Sequence, residues 1–506
     1  MGEPSLTGRT LAGLKWAGLS AAGQALLTVS ILAVLARLLT PEDFGLLALA
    51  MIFVTAAHNL GHRNIGAAIV QRAELTERHI GAGVTLSIAA GAVFAGAVWA
   101  LAPSAGRFFG EPAVAPIARA LSVAVLCTGF GTVPEYLWRR RLRFRALTAA
   151  ELVAQALGYG FVAIAMALAG YGVWALVAGI VMRHAVFAAA VLATGPRLPR
   201  PRLPRREAGE LLGAGAGFSS IAAFNLIANQ GSRLVVGRLL GATPLGYYTR
   251  ATALSSFSGH LGRVVGKVLF PAMAKRQRHT DRLGAAYLHG VEILSWLALP
   301  AGLLLAVCAA EIVAVVLGGQ WGAAVPVLQI LAVGTAFRIG GTLNAPLARA
   351  LGALRPLAWR GAVNAALLVA GVAVGSRWGL NGVAAAAVGA LIVSWWMMTQ
   401  LTVSLLGLGW GEVLRRHVPA LWAGAWGAPA LWLTAALVRD AGWPAAAALA
   451  AEILAWSAAA GVAVWYAPRF ARPAFIAWSL AALPAQGPTA RRLHVALGRL
   501  AHRHGH

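Results

Sequence analysis

The chain has 506 residues, of which 59% are hydrophobic and only 11% are charged, and its formal net charge is +26. Together with a mean hydropathy of +0.72, this composition excludes a soluble globular protein and predicts an all-α polytopic membrane protein. The positive charge does not indicate a nucleic-acid partner, because the Arg residues cluster in short segments between apolar runs.

Apolar stretches that are long enough to cross a hydrocarbon core of ~30 Å as helices recur along the whole chain. They number about fourteen and lie at residues 14–37, 44–69, 81–103, 114–137, 147–168, 171–194, 211–238, 246–271, 287–310, 323–348, 355–376, 380–406, 416–438 and 443–466. The first stretch is longer than the apolar region of a secretory signal, so we expect it to be a retained helix.

Basic residues cluster in every second loop, most densely at 139–145, 197–206 and 275–282. Short loops rich in Lys and Arg stay on the cytoplasmic side of a membrane. The pattern therefore predicts a multi-pass membrane protein with both termini in the cytoplasm. The Pro- and Arg-rich linker is expected to stay extended against anionic membrane lipids.

A sequence motif occurs twice: Arg37-Leu-Leu with Gly45 returns as Arg238-Leu-Leu with Gly246. A repeat of this length in an apolar chain predicts two homologous membrane bundles related by pseudo-symmetry around a central cavity. The predicted parts are an N-terminal six-helix bundle (1–194), a basic cytoplasmic linker (195–210), a C-terminal six-helix bundle (211–406), two additional transmembrane helices (407–466) and a basic cytoplasmic tail (467–506).

The chain lacks the short motifs of several enzyme classes. It has no Walker sequence, no Gly-rich dinucleotide motif after a strand, no His-Glu-x-x-His and no cysteine cluster. No outer loop is long enough to form a catalytic domain. We therefore predict a transporter, not an enzyme, with no cofactor and no metal.

Several cations fall inside the predicted helices, where a charge costs a few kcal/mol. Such cations are expected to face water and bind an anion, and Arg suits phosphate. The candidates for binding a phosphate-bearing anion are Arg63, Arg233, Arg263, Lys267 and Arg338. Candidates for a polar cavity lining are Gln24, Thr28, Asn225, Asn229, Gln230 and His260. The plainer interpretation of these polar residues is hydrogen bonding between helices.

The remaining charges in the helices have simpler positions. Arg119, Arg183, Arg238 and Arg250 lie near predicted helix ends, where their long side chains can reach the headgroups. Glu135, Glu151, Glu292 and Glu311 also lie near helix ends, and only Glu452 lies well inside a span. The predicted core is therefore rich in cations and poor in carboxylates.

Three segments carry a resemblance to a known family. Ala36-Arg-Leu-Leu-Thr-Pro-Glu-Asp-Phe-Gly45 resembles the first loop of bacterial polysaccharide exporters, and Leu137 to Phe144 resembles their fourth-to-fifth loop. The segment from Arg233 to Pro271 resembles their seventh and eighth helices. The family is the lipopolysaccharide or O-antigen flippase branch of the multidrug/oligosaccharidyl-lipid/polysaccharide exporter superfamily.

This resemblance implies a flippase that moves undecaprenyl-diphosphate-linked oligosaccharide across the inner membrane by alternating access. Anionic lipids and other polysaccharide-assembly proteins are the further partners expected. The alternatives are a peptidoglycan-precursor flippase and a multidrug or cation antiporter of the same superfamily, which would need cavity carboxylates. A membrane polysaccharide polymerase or ligase is a weaker alternative, because it would need a sizeable outer loop.

Overall fold

The computed structural model describes residues 23–72, 74–196, 198–256 and 280–466, and within these ranges the chain is helical with no strand. Ten helical stretches of the described chain are long and apolar enough to cross a membrane. One of them, Leu354–Leu406, consists of two helices joined by a short turn. The predicted class, an all-α polytopic membrane protein, is confirmed, and the number of fourteen helices stays a prediction.

The chain divides into two compact units. Among the described residues, the first unit contains those up to Thr249 together with Val316–Trp321, and the second contains the others. The predicted boundaries of bundles, linker and tail stay predictions.

The helices of the N-terminal part are α1 (Gly23–Leu38), α2 (Pro41–Leu60), α3 (His62–Gln71), α4 (Glu77–Phe109), α5 (Val114–Arg140), α6 (Phe144–Leu168), α7 (Val173–Thr194), α8 (Arg205–Leu240) and α9 (242–256). The helices described for residues 280–466 are α10 (Thr280–Val307), α11 (Ala309–Val316), α12 (Ala324–Gly340), α13 (Asn344–Ala350), α14 (Leu354–Gly375), α15 (Gly379–Leu406), α16 (Trp410–Arg415), α17 (Val418–Asp440) and α18 (Ala445–Trp465).

The first copy of the repeated motif ends in a helix cap. The hydroxyl of Thr40 accepts a hydrogen bond from the backbone N–H of Asp43 at 3.3 Å, and the Asp43 carboxylate accepts one from the backbone N–H of Thr40 at 2.8 Å. Pro41 occupies the first turn of α2, where its missing N–H costs nothing. The short sequence Thr-Pro-Glu-Asp therefore starts α2 at this position for local reasons.

The two copies of the motif lie against each other in the first unit. A methyl group added to Gly45 would meet the carbonyl oxygen of Ala242, and one added to Gly246 would meet the carbonyl oxygen of Pro41. The starts of α2 and α9 therefore approach each other so closely that only glycine fits on either side. The sequence duplication thus produces a reciprocal backbone contact.

A short segment from later in the chain completes the first unit. The side-chain amide of Gln320 donates to the carbonyls of Ala36 and Leu39 at 2.6 and 2.9 Å, and the indole N–H of Trp321 donates to Ala36 at 2.8 Å. These carbonyls end α1 and have no partner within the helix. Trp321 is fully buried and contacts the rings of Phe44 and Tyr247 edge-on.

The predicted linker also packs against the first unit. The hydroxyl of Thr85 on α4 donates to the carbonyl of Arg202 at 2.9 Å. Glu210, the last residue of the predicted linker and part of α8, forms ion pairs with Arg72, Arg206 and His79. The hydrogen bond from His79, helped by the two Arg side chains, holds the pKa of Glu210 below its ordinary value.

The appended helix α17 is held in the second unit by an ion pair near each end. Arg416, just before α17, donates to Glu292 of α10 at 3.1 Å. Arg439, near its other end, donates two hydrogen bonds to Glu311 of α11 at 2.6 and 2.9 Å. Both glutamates are buried. Burial alone would raise the pKa of Glu311, but the hydrogen bonds from Arg439 lower it overall.

The glycine contact predicts the effect of a single methyl group. We expect Gly246→Ala to lower the free energy of unfolding by about 1–3 kcal/mol, because the backbone of Pro41 cannot move aside as a side chain can. Thermal unfolding of the purified full-length protein measures the change. The matched control is Gly389→Ala, because a methyl group added to that helical glycine meets nothing within 4 Å. Equal stability of the two variants would contradict the close contact.

Candidate functional site

The first unit contains a cavity of about 490 Å³ with a largely polar lining. Helices α1, α2, α5, α6 and α7 supply the lining. Its polar side chains are Gln24, Thr28, His58, Thr128, Thr132, Glu135, Tyr136, Arg139, Glu151, Gln155, Arg183 and His184. A concave site with several converging polar groups is where a small ligand is expected to bind.

Two features of α6 and α7 shape one wall of this cavity. Residues Ala154–Phe161 form a π-helical segment inside α6, a distortion that often occurs at functional sites. A methyl group added to Gly158 in this segment would meet the backbone of Arg183. The missing side chain of Gly158 thus lets α7 approach α6 at the position of Arg183 and His184, which line the cavity.

The acidic side of the cavity is a chain of three charged groups. The side-chain amide of Gln24 donates to the Glu151 carboxylate at 2.7 Å. Arg139 donates to Glu135 at 2.7 Å and lies 3.9 Å from Glu151. Arg139 therefore bridges two carboxylates, and Gln24 supplies a further donor to one of them.

Two histidines lie together on the other side. The rings of His58 and His184 are 5.4 Å apart, and His58 Nε2 lies 3.3 Å from the hydroxyl of Thr128. His184 Nδ1 lies 2.8 Å from the carbonyl oxygen of Ile180. Because a carbonyl only accepts, Nδ1 carries the hydrogen, and in the neutral ring Nε2 is then an acceptor.

These groups can exchange a proton or hold a small ion. Ionised Glu135 and Glu151 can only accept hydrogen bonds, the imidazoles can donate or accept, and the guanidinium groups of Arg139 and Arg183 only donate. The cavity lies in the size range of small-ligand sites and is enclosed by one unit. It therefore suits a proton, an ion or one small polar group.

The structure describes the side chains of only some of the predicted site residues. Gln24 and Thr28 line the cavity just described. Gln230 is buried on α8 and accepts a hydrogen bond from half-buried Arg233 at 3.3 Å. Arg338 lies half-buried on α12 in the second unit.

The other predicted positions fall outside what the structure describes. His260, Arg263 and Lys267 lie outside the described residues, and the same holds for the side chains of Arg63, Asn225 and Asn229, whose helices are described. The common chamber predicted for the cations therefore stays a prediction.

Several cavity residues were not among the predicted site residues. Arg183 was expected to reach the headgroups but lines the cavity, and Glu135, Glu151, His58 and His184 were not assigned to a site. The i, i+4 spacing of Glu135 and Arg139 was a usable signal, because such pairs lie on one helix face. No spacing in the sequence connects either residue to Glu151 or Gln24 on other helices.

A family model described as "Polysaccharide biosynthesis protein" matches residues 34–326, more than half of the chain. The chain belongs to this family. The resemblance to polysaccharide exporters predicted from the first loop is thereby confirmed.

Curated relatives extend the match along the chain. It is 26% identical over 412 residues to the succinoglycan biosynthesis transport protein ExoT of Rhizobium meliloti, which covers 80% of this chain and 81% of that protein. It is 27% identical over 332 residues to the lipopolysaccharide biosynthesis protein WzxC of Escherichia coli, with coverages of 65% and 67%. The teichuronic acid biosynthesis protein TuaB of Bacillus subtilis is 24% identical over 333 residues, with coverages of 65% and 69%.

Solved structures show the same fold. An inward closed conformation of the lipid II flippase MurJ matches with a TM-score of 0.70 over 88% of this chain and 98% of that chain, at 10% identity. An inward-facing multidrug transporter of the MATE family matches with a TM-score of 0.57, at 15% identity, over 76% and 95%. The predicted relation to this superfamily's fold is confirmed.

The contact between Gln24 and Glu151 joins α1 to α6, and its strength can be measured. In a double-mutant cycle of Gln24→Ala and Glu151→Ala, we expect a coupling free energy of about 0.6–1.7 kcal/mol, as for hydrogen bonds between membrane helices. Thermal unfolding of the two single variants and the double variant gives the coupling. Glu412→Ala, at an exposed position, paired with Gln24→Ala is the additive control. Additivity of the first pair would argue against the bond.

Proposed function

We propose that this protein translocates undecaprenyl-diphosphate-linked oligosaccharide across the bacterial inner membrane for surface polysaccharide assembly. The observation that carries the proposal is the alignment with a succinoglycan biosynthesis transport protein over 81% of that protein's length. A similarity of this extent covers nearly a whole transporter, so it supports transport of a lipid-linked polysaccharide precursor. The protein is a transporter and not an enzyme.

The sidedness of the chain supports a direction for this transport. Loops rich in Arg stay in the cytoplasm, so both termini and the 139–145 loop are cytoplasmic in this proposal. The oligosaccharide moves from the inner to the outer leaflet by alternating access, and the lipid tail remains in the bilayer. The Arg residues around 197–206 contact anionic headgroups on the cytoplasmic side.

The diphosphate is the part of the substrate that the proposed binding cations recognise. Arg63, Arg233, Arg263, Lys267 and Arg338 are the candidates for this role. A guanidinium offers several donors in a planar arrangement that matches phosphate oxygens. Arg233 lies on α8 beside the buried amide of Gln230, which supports a polar surface at this position on the helix.

Two alternatives share the same fold. The MurJ and multidrug transporter structures match at 10% and 15% identity, which supports the fold and does not distinguish the substrates. The relatives aligned by sequence are a lipopolysaccharide biosynthesis protein and a succinoglycan transport protein. Their agreement favours a polysaccharide precursor over a peptidoglycan precursor or a cationic drug.

The driving force in this proposal is an ion gradient, because the chain has no nucleotide-binding motif. The polar cavity of the first unit is the candidate coupling site. Glu151 is the most suitable group in it, since its carboxylate already receives a donor from Gln24 and lies 3.9 Å from Arg139. Binding or release of one cation at Glu151 would change the net charge of the cluster that Gln24, Arg139 and Glu151 form.

Neutralising a proposed binding cation tests the proposed substrate. We expect Arg263→Ala to weaken diphosphate binding at least about tenfold, or about 1.4 kcal/mol, and to reduce surface polysaccharide while lipid-linked oligosaccharide accumulates in the cells. Membrane levels of the protein, measured by immunoblot, should stay unchanged. Arg377→Ala, which removes an exposed cation, is the control. Normal surface polysaccharide in the Arg263→Ala strain would overturn the assigned role.

A conservative change tests the proposed coupling site. Glu151→Gln keeps an oxygen for the Gln24 hydrogen bond but cannot ionise, so we expect transport in proteoliposomes to lose its dependence on an imposed proton or sodium gradient. Glu412→Gln, at an exposed position, should behave as the unmodified protein. Unchanged gradient dependence in Glu151→Gln would remove Glu151 from the coupling mechanism.

A further inference from the structure

Glu452 is the one ionisable residue of α18, a helix whose other residues are apolar except for Ser457. Its side chain is fully buried, with 0% exposure. In the described part of the chain, neither of its carboxylate oxygens has an N–H or O–H hydrogen-bond partner, and the weak thiol donor of Cys308 lies beside it. A buried carboxylate whose only donor is a weak thiol is disfavoured in its charged form. The surroundings of Glu452 therefore favour the neutral carboxylic acid, which carries a proton.

The groups that face Glu452 come from the neighbouring helices of the second unit. Cys308, between α10 and α11, is fully buried beside it, and the charged groups close enough to interact are Glu311 and Arg439. Arg439 binds Glu311 through two hydrogen bonds and also donates to the carbonyl of Val307 at 2.7 Å. One guanidinium thus lies near two carboxyl groups but binds only one of them.

The arithmetic of charge in this cluster is simple. Arg439 contributes one positive charge and can compensate one carboxylate, and a second ionised carboxyl group would be buried without a counterion. Glu311 is only 6% exposed, so it is as unsuited as Glu452 to carry an uncompensated charge. The most stable arrangement has one carboxylate paired with Arg439 and one protonated carboxyl group.

We propose that Glu311, Glu452 and Arg439 form a two-position proton-binding site in which one proton and one guanidinium exchange partners. In the observed arrangement the proton is on Glu452 and Arg439 is on Glu311. In the other arrangement the O–H bond of Glu452 breaks, an O–H bond forms on Glu311, and Arg439 pairs with Glu452. The total charge is the same in both.

The exchange would couple the protonation of Glu452 in α18 to the solvent-exposed end of α17, where Arg439 lies. The side chain of Arg439 is 46% exposed, whereas Glu452 is fully enclosed. In the second arrangement Arg439 would turn from α11 toward α18, and the outer ion pair that holds α17 to α11 would open. The site therefore links protonation to the attachment of the two C-terminal helices.

Infrared spectroscopy of the full-length protein in lipid tests the proposal, because the carbonyl stretch of a protonated carboxyl group is separate from the bands of carboxylates. The difference between the unmodified protein and Glu452→Gln should show one protonated carboxyl group, lost in the variant. Absence of that band from the unmodified protein would overturn the proton site.

The exchange of partners has its own signature. In Glu311→Gln, Arg439 has only Glu452 to neutralise, so Glu452 should ionise and the same band should disappear although Glu452 is intact. Glu292→Gln, which removes the buried glutamate paired with Arg416 at the other end of α17, should keep the band. A band that persists in folded Glu311→Gln would refute the exchange.

Folding of each variant is checked by size-exclusion chromatography. If Glu311→Gln does not fold, the comparison with Glu452→Gln still decides the proton site, and Arg439→Gln then tests the exchange, because two carboxyl groups without a cation should give two protonated bands. These spectra do not depend on the substrate. Failure of the proton site and failure of the proposed transport function are therefore distinguishable.

Discussion

Burying a charge away from water without a counterion costs free energy. This cost governs where the chain places its acidic residues. In the described structure Glu292 and Glu311 are buried, and each binds an Arg from a neighbouring helix. Glu151 receives a donor from Gln24 and lies near Arg139. These pairs join helices that are far apart in sequence, so the electrostatic requirement of single residues also determines how the helices are attached to one another.

Glu452 shows the same constraint in a different form. It lies in the apolar part of a helix, and the only donor beside its oxygens in the described structure is the weak thiol of Cys308. The ion pair with Arg439 compensates the buried charge of Glu311, whereas the proposed protonation of Glu452 removes its charge. Because Arg439 lies near both carboxyl groups, either one could be paired with it while the other is protonated. A membrane protein can in this way hold a proton in a buried cluster whose net charge is zero.

Much of the fold could be predicted from the sequence, because helix position along a membrane normal depends on local properties. Apolar runs gave the helices, and Thr40 to Asp43 mark the start of α2 by a cap that the residues form among themselves. The segment Val316–Trp321 could not be predicted, since its role depends on carbonyl groups of α1 that lie some 280 positions earlier, at Ala36 and Leu39.

The site was harder to predict than the fold because it depends on how each helix is rotated about its own axis. Sequence shows how deep a residue lies in a helix, whereas the cavity depends on which way each helix is turned. Arg183 was predicted near a helix end, but it lies in the middle of α7 (Val173–Thr194) and lines the cavity together with His58 and Glu151. Gln24 was assigned to a polar lining, and its partner Glu151 follows only from the packing of α1 on α6.

The reciprocal contact of Gly45 and Gly246 has a consequence for the history of the gene. Each copy of the motif presents backbone that the other copy needs in order to pack. In a chain that arose by duplication, a single copy would make the same contact between two identical polypeptides, as an isologous dimer. A larger residue at either glycine disturbs the packing of both copies, so we expect the two positions to change together or not at all.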